Sequence, residues 1–234
     1  MKKYVFIAII IFLSCSLLQG QNSKSASTGY ENGHEWVDLG LSVKWASCNV
    51  GASSPEGYGD FFCWGEISTR KVPGYYKWYD DRGNVKKYND GERGNDPWHD
   101  YSDNLDQLQL SDDAARANWG GRWRMPTKRE VEELLSYCHW RWVIQNGIKG
   151  YVVTSAMNGN SIFLPAAGYD HCSYHDMNIV RDRGRRGYYW TRDLWVGGNG
   201  PRFGWSLEFV EEAIRGEMKC GERDDGYSVR PVIE

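Results

Sequence analysis

The chain has 234 residues, with 28 Lys and Arg against 31 Asp and Glu and a formal net charge of -3. That length suits one domain with a sizeable core, and the near-neutral charge excludes a general nucleic-acid binder, which would carry a basic excess. A hydrophobic share of 41% excludes a wholly disordered chain, and 15% aromatic residues with 27 glycines favour many short strands and turns over a helical bundle.

Residues 1–20 read as a secretory leader. Lys2 and Lys3 precede an apolar run from Tyr4 to Leu13, which is too short for an ordinary membrane-spanning helix. Cleavage after Gly20 would start an exported, lipid-free chain near Gln21. The alternative is a lipid anchor at Cys15, since Leu13-Ser14-Cys15 loosely resembles a lipobox, although Leu17 and Leu18 carry the apolar character past it. Residues 21–33, rich in Ser, Asn and Gly, read as a flexible tether, and one domain is expected over 34–234. Cleavage leaves Cys48, Cys63, Cys138, Cys172 and Cys220. An odd number leaves at least one thiol unpaired, and buried thiols or one or two bridges are both open.

Short strands are expected at Trp36–Leu39 and Val43–Ala46. Residues 80–104 are polar, without apolar periodicity, and read as a long surface excursion. Ser111, Asp112 and Asp113 open a short helix through Asn118 that Gly120-Gly121 stops. Thr127 and Glu130 fit a capping box, after which Val131, Leu134, Leu135 and Cys138 recur at helical spacing and face the core. Glu132 and Glu133 are adjacent, point apart on a helix, and read as its solvated face.

The period then changes to two. Trp140, Trp142 and Ile144 alternate, Asn146-Gly147 turns the chain, Tyr151–Ser155 returns, and Asn158-Gly159 leads into Ser161–Leu164, which together predict a three-stranded meander. Tyr188–Thr191 and the alternating Phe203, Trp205, Leu207 and Phe209 predict further strands. The class expected is α+β, with two helices, a mostly antiparallel twisted sheet and long surface loops.

Candidate chemistry is sparse. His171 and His175 flank Cys172, but no third ligand stands at a recognised zinc spacing. The excursion carries Asp80, Asp81, Asp90, Glu92, Asp96, Asp100 and Asp103, hard oxygen donors that calcium prefers, without the regular calcium-loop spacing. No bound metal or other cofactor is therefore expected, with calcium as the alternative. Arg181-Asp182-Arg183-Gly184-Arg185-Arg186 places four arginines in six residues, either a solvated loop or a dock for a polyanion such as a sulfated glycan. Hydrolase-elbow, zincin, Walker and dinucleotide motifs are missing, so no catalytic residue is assigned and an enzyme is not expected.

Ordered blocks carry a family resemblance. Val37–Ala52 (VDLGLSVKWASCNVGA), Tyr58–Glu66 (YGDFFCWGE), Asp113–Gly120, Trp123–Thr127 (WRMPT), Asn158–Gly168 (NGNSIFLPAAG), Gly187–Trp190 and Gly226–Val232 (GYSVRPV) resemble the fibrobacter major paralogous domain family, found in exported proteins of gut bacteria. The resemblance covers roughly 37–232. It implies a C-type-lectin-like fold whose C-terminal region displays a ligand surface; it does not imply sugar binding, because fold and function separate readily. The Glu-Pro-Asn and Trp-Asn-Asp triplets of sugar-binding lectins are missing, as is the active-site cysteine pair of the formylglycine-generating enzyme.

Between the blocks the chain departs from the family, and Arg192, Trp195, Arg202, Arg215 and Arg223 fall in the expected display region. Trp and Arg are the residue types that anchor interfaces. The function expected is an extracellular or cell-surface binding or adhesion module for a protein or glycan ligand, including a polyanionic one. It would touch a membrane only through a lipid anchor and would not bind nucleic acid. An exported carbohydrate-active enzyme and a structural surface subunit are the alternatives. Cys48 and Cys138, both within the span 37–232 that the resemblance covers, are expected to pair, with Cys63 a buried thiol.

Overall fold

The computed structural model describes residues 27–69, 76–80, 83–89, 103–171, 179–196 and 201–234. The expected leader, with Cys15, lies outside them. Among the described residues no helix is long and apolar enough to cross a membrane.

The chain begins its ordered course earlier than a tether over 21–33 allows. Thr28–Glu31 (β1) pairs antiparallel with His34–Val37 (β2) around Asn32-Gly33. Both turn residues lie in the left-handed region, at φ 47° and 82°, where Asn and Gly are the residues that tolerate it. The tether expectation fails there because its Asn-Gly pair is a hairpin turn. Lys44–Ala46 (β3) adds to β2, and Val232–Ile233, the last strand of the chain, adds antiparallel to β3. The two ends of the described chain thus share one four-stranded sheet.

Two α-helices follow among the described residues. Asp113 caps Ala114–Trp119 (α1) by accepting from the Arg116 amide, and Gly120 at φ 63° closes it by donating to the Arg116 carbonyl. Asp113 also accepts from the Met125 amide, so one buried carboxylate joins the helix start to the strand-like run before the second helix. Lys128–Tyr137 (α2) opens with the expected capping box: Thr127 Oγ1 accepts from the Glu130 amide at 3.2 Å, and Glu130 accepts from the Thr127 amide at 2.8 Å. Glu130 has a second duty that its spacing did not announce, a two-pronged ion pair with Arg124 at 2.7 and 2.8 Å. Val131 and Leu134 are buried, as the helical spacing requires.

Cys138–Gln145 (β4), Ile148–Ser155 (β5) and Ser161–Pro165 (β6) form the expected meander in that order. Tyr169–Asp170 (β7) and Val180–Arg181 (β8) make a small pair. Arg186–Leu194 (β9), Phe203–Val210 (β10) and Glu217–Glu222 (β11) form an antiparallel sheet with β10 in the middle, and Val232–Ile233 is β12. The result is a mixed α/β protein, mostly antiparallel.

The β9–β10–β11 sheet separates two apolar clusters, because side chains alternate across it. Tyr189, Leu207 and Phe209 face a cluster with Val131, Leu134, Tyr151 and Trp45. Tyr188, Trp190 and Leu194 face the other, with Trp64, Trp119, Trp123 and Tyr227. Trp190 stacks on Tyr227 at 4.1 Å, and Tyr151 packs edge-on against Phe209 at 5.2 Å. Arg230 crosses between the sheets wholly buried, donating to the Ala46, Ser47 and Phe163 carbonyls and to Asn49 Oδ1 at 2.9 to 3.1 Å.

The two clusters also overturn the expected Cys48–Cys138 bridge. Both thiols are reduced: Cys48 packs on the cluster containing Trp64, and Cys138 on the one containing Leu134, across the intervening sheet. Burial raises the Cys138 thiol to about 11. Cys63 is the buried thiol expected, donating to the Asp224 carbonyl at 3.4 Å.

Leu134→Ala should lose about 2–5 kcal/mol, since it empties a site that is fully enclosed. Glu133→Ala should lose about 0.5–1 kcal/mol, because Glu133 accepts from the Ser42 amide at 3.0 Å. Urea unfolding of both variants measures the gap, and equal losses would show that α2 is turned the other way.

Candidate ligand-binding surface

The display residues separate into different places. Trp195 and Arg202 come together where β9 ends and β10 begins. The Trp195 amide donates to the Phe203 carbonyl at 3.0 Å, and the two rings meet edge-on at 5.8 Å. Arg202 is exposed; it donates to the Gly83 carbonyl at 2.7 Å and lies over the Tyr79 ring at 5.4 Å. Trp195, Phe203 and Tyr79 are each half-buried, so this shelf offers ring edges and a guanidinium whose fork is only partly used among the described residues.

Arg223 lies beneath the shelf, not on it. It is fully buried, which corrects its assignment as a ligand contact. Its fork reaches four oxygens: Tyr76 Oη at 3.0 Å and the carbonyls of Tyr88, Pro201 and Lys87 at 3.2, 2.8 and 3.0 Å. Its plane sits over the Trp64 ring at 4.7 Å. The Arg223 amide also donates to the Arg202 carbonyl at 3.0 Å. Arg223 therefore positions the segment that presents Arg202.

The other two arginines are elsewhere. Arg192 is turned toward the segment before α1, donating to the Leu108 carbonyl while its buried Nε has no partner among the described residues. Arg215 lies in the β10–β11 connection and donates to the Leu135 carbonyl near the end of α2 at 2.8 Å. Carbonyls of a last helical turn favour such a cation. Arg215 also lines a groove of about 570 Å³ with Glu132, Leu135, Ile214 and Met218. The length of β10 separates Arg215 from Trp195, roughly 24 Å at the usual strand rise, so the two do not share one site.

The acidic excursion is only partly a surface feature. Tyr88 within it is fully buried, and its hydroxyl donates to Asp112 at 2.5 Å. Asp103 accepts from the amides of Tyr88, Asn89 and Leu105, and Asp80 from that of Asn84, so these two carboxylates brace turns. Asp81, Asp90, Glu92, Asp96 and Asp100 lie outside the described residues, as do Cys172 and His175. Among the described residues no group of three or more His, Cys, Asp or Glu could hold a metal ion. His171 pairs instead with Asp225, Nδ1 to Oδ1 at 2.9 Å.

Two carboxyls close to Tyr227, on the side of the sheet that carries Tyr188 and Trp190, have raised pKa values. Burial lifts Glu208, opposed by the Ser206 hydroxyl and Lys219. Burial also lifts Asp225, opposed by His171. Both raise the Tyr227 phenol further, which burial already holds above its ordinary value. Sequence reasoning missed Tyr79, Glu208 and Asp225. Alternation placed Glu208 opposite Leu207, but only the three-dimensional fold brings Tyr188 and Tyr227 over it.

Comparisons with family models, with curated proteins and with solved structures gave no match.

A carboxyl whose folded pKa exceeds its unfolded value binds more protons when folded, so it favours the fold increasingly as pH falls. Glu208→Gln should therefore be more stable relative to wild type at pH 7 than at pH 4, the advantage shrinking through the raised Glu208 pKa. Thermal melts of both proteins across that window check the sign. A stability difference that stays constant with pH would show that Glu208 titrates as an ordinary solvated carboxyl.

Proposed function

We propose that the chain is an exported ligand-binding or adhesion module, a C-type-lectin-like domain of the fibrobacter major paralogous kind without catalytic activity. The ordered blocks from Val37 to Val232 support the family reading, and the two helices, antiparallel sheets and long connections are compatible with the fold. The expected leader at 1–20 supports export, with a lipid anchor at Cys15 as the other route to the cell surface.

One observation carries the binding reading. Trp195, Phe203, Tyr79 and Arg202 converge at one sheet end, partly exposed, over a base that Arg223 fixes from below. Aromatic and arginine side chains held on a rigid support lose little conformational freedom on binding, which is what makes such residues hot spots. The ligand class is a protein or a glycan, since rings and a guanidinium serve either.

The test is an array of glycans and proteins probed with the purified chain, followed by titration of the best binder. Trp195→Ala with Arg202→Ala should weaken binding by more than about 2 kcal/mol and leave the melting temperature nearly unchanged. Arg215→Ala should leave affinity unchanged. Undiminished binding by the Trp195 and Arg202 variant would place the ligand elsewhere.

A further inference from the structure

We propose that the β8–β9 turn, Arg181–Arg186, is a second docking site, specific for a sulfated polysaccharide. It stands apart from the Trp195 shelf and shares with the functional reading only the expectation that the chain works outside the cell.

The turn is built rigidly from a strongly basic sequence. Asp182 takes the left-handed conformation at φ 57°, and its carbonyl accepts from the Arg185 and Arg186 amides at 3.0 Å each. Gly184 donates to the Ala166 carbonyl at 2.8 Å, and Gly168 donates to that of Arg186 at 2.9 Å. Gly168 itself lies at φ 73°, where an added Cβ would come within 2.0 Å of the Arg181 carbonyl oxygen. Only glycine permits that approach, so the turn is pressed onto the 166–168 segment.

The side chains on this support are exposed and cationic. Arg181, Arg183, Arg185 and Arg186 all reach solvent. Arg183 is held over the Tyr58 ring at 4.9 Å. Among the described residues neither Arg183 nor Arg185 has a carboxylate partner. Asp182, the acid within the turn, accepts from Tyr188 Oη at 2.8 Å and stands 4.0 Å from Arg186. Glu211 is tied to the turn by its amide, which donates to the Arg185 carbonyl, but its carboxylate turns away to Lys149 and Trp142 at 3.1 and 3.2 Å. Arg183 and Arg185 thus keep, among the described residues, unneutralised positive charge on a chain whose net charge is -3.

Planar guanidinium forks match the oxygens of sulfate two at a time. A nucleic acid carries dense charge along its whole length and rewards an extended basic footprint. This footprint is one turn, bounded by Asp182 and Glu208, the acids that act on Arg186. A sulfated glycan presents separated anionic groups between uncharged rings, and that spacing suits a small basic patch with acidic borders.

The experiment titrates the full chain with heparin, with chemically desulfated heparin, and with single-stranded DNA. Heparin should bind, more weakly as salt rises, and better than either comparison polymer. Arg183→Ala with Arg185→Ala should weaken heparin binding about tenfold at an unchanged melting temperature. Arg183→Lys with Arg185→Lys, keeping charge without the fork, should fall between. Trp195→Ala with Arg202→Ala should bind heparin as wild type does, which separates this site from the shelf. Failure of heparin to bind at low salt, binding unaffected by the double alanine variant, or DNA binding as tight as heparin binding would each overturn the proposal.

Discussion

The buried guanidinium of Arg223 is the contact on which the proposed ligand surface depends. Taking a cation out of water costs several kcal/mol unless its hydrogen bonds are replaced. Here the replacements are oxygens without formal charge, from Tyr76, Lys87, Tyr88 and Pro201, and the face of Trp64. Each comes from a connection with little regular structure of its own. The charge therefore works as a tie: those segments must close around it, or the cation is left unsolvated.

The consequences spread outward from that point. Tyr76, while accepting from Arg223, donates to the Trp64 carbonyl, and Trp64 Nε1 donates to the Thr191 carbonyl on β9. Arg223, the segments 76–80 and 83–89 and the central sheet are one hydrogen-bonded unit. Arg230 does the same on the other side, fastening β3 and β6 to the last residues of the chain. Between the two arginines the segment Asp224–Val229 runs through the core, its Tyr227 stacked on Trp190. Such a base lets Trp195 and Arg202 be presented without being needed for folding.

Local signals in the sequence carried far. The capping box at Thr127 and the Asn146-Gly147 turn act over three or four residues, and both are formed as expected. Alternation from Phe203 to Phe209 marked β10 and placed Leu207 and Phe209 in the core, but a register shift between Gly204 and Ser206 leaves Phe203 and Trp205 half-buried and encloses Gly204 and Ser206 instead. Distant partners were not legible. Arg223 stands in a polar, charged run that reads as surface, and its enclosing groups Tyr76, Lys87 and Tyr88 lie 147, 136 and 135 residues away. Tyr88 was hidden in the same way by polar neighbours. The Cys48–Cys138 expectation failed because lying within the span of a family resemblance says nothing about which side of a sheet a thiol faces. Thr28–Glu31 was misread because composition outweighed its Asn-Gly turn.

Amide hydrogen exchange on Arg223→Lys examines the tie most directly, since lysine keeps the charge but cannot reach all four oxygens. The account predicts faster exchange at Lys86, Tyr88, Trp195 and residue 223 itself, whose amides are bonded within the enclosed segments. The β4–β5–β6 meander should exchange as in wild type. Uniform acceleration across the meander as well, or no change at the enclosed segments, would contradict the claim that Arg223 holds the proposed ligand surface in place.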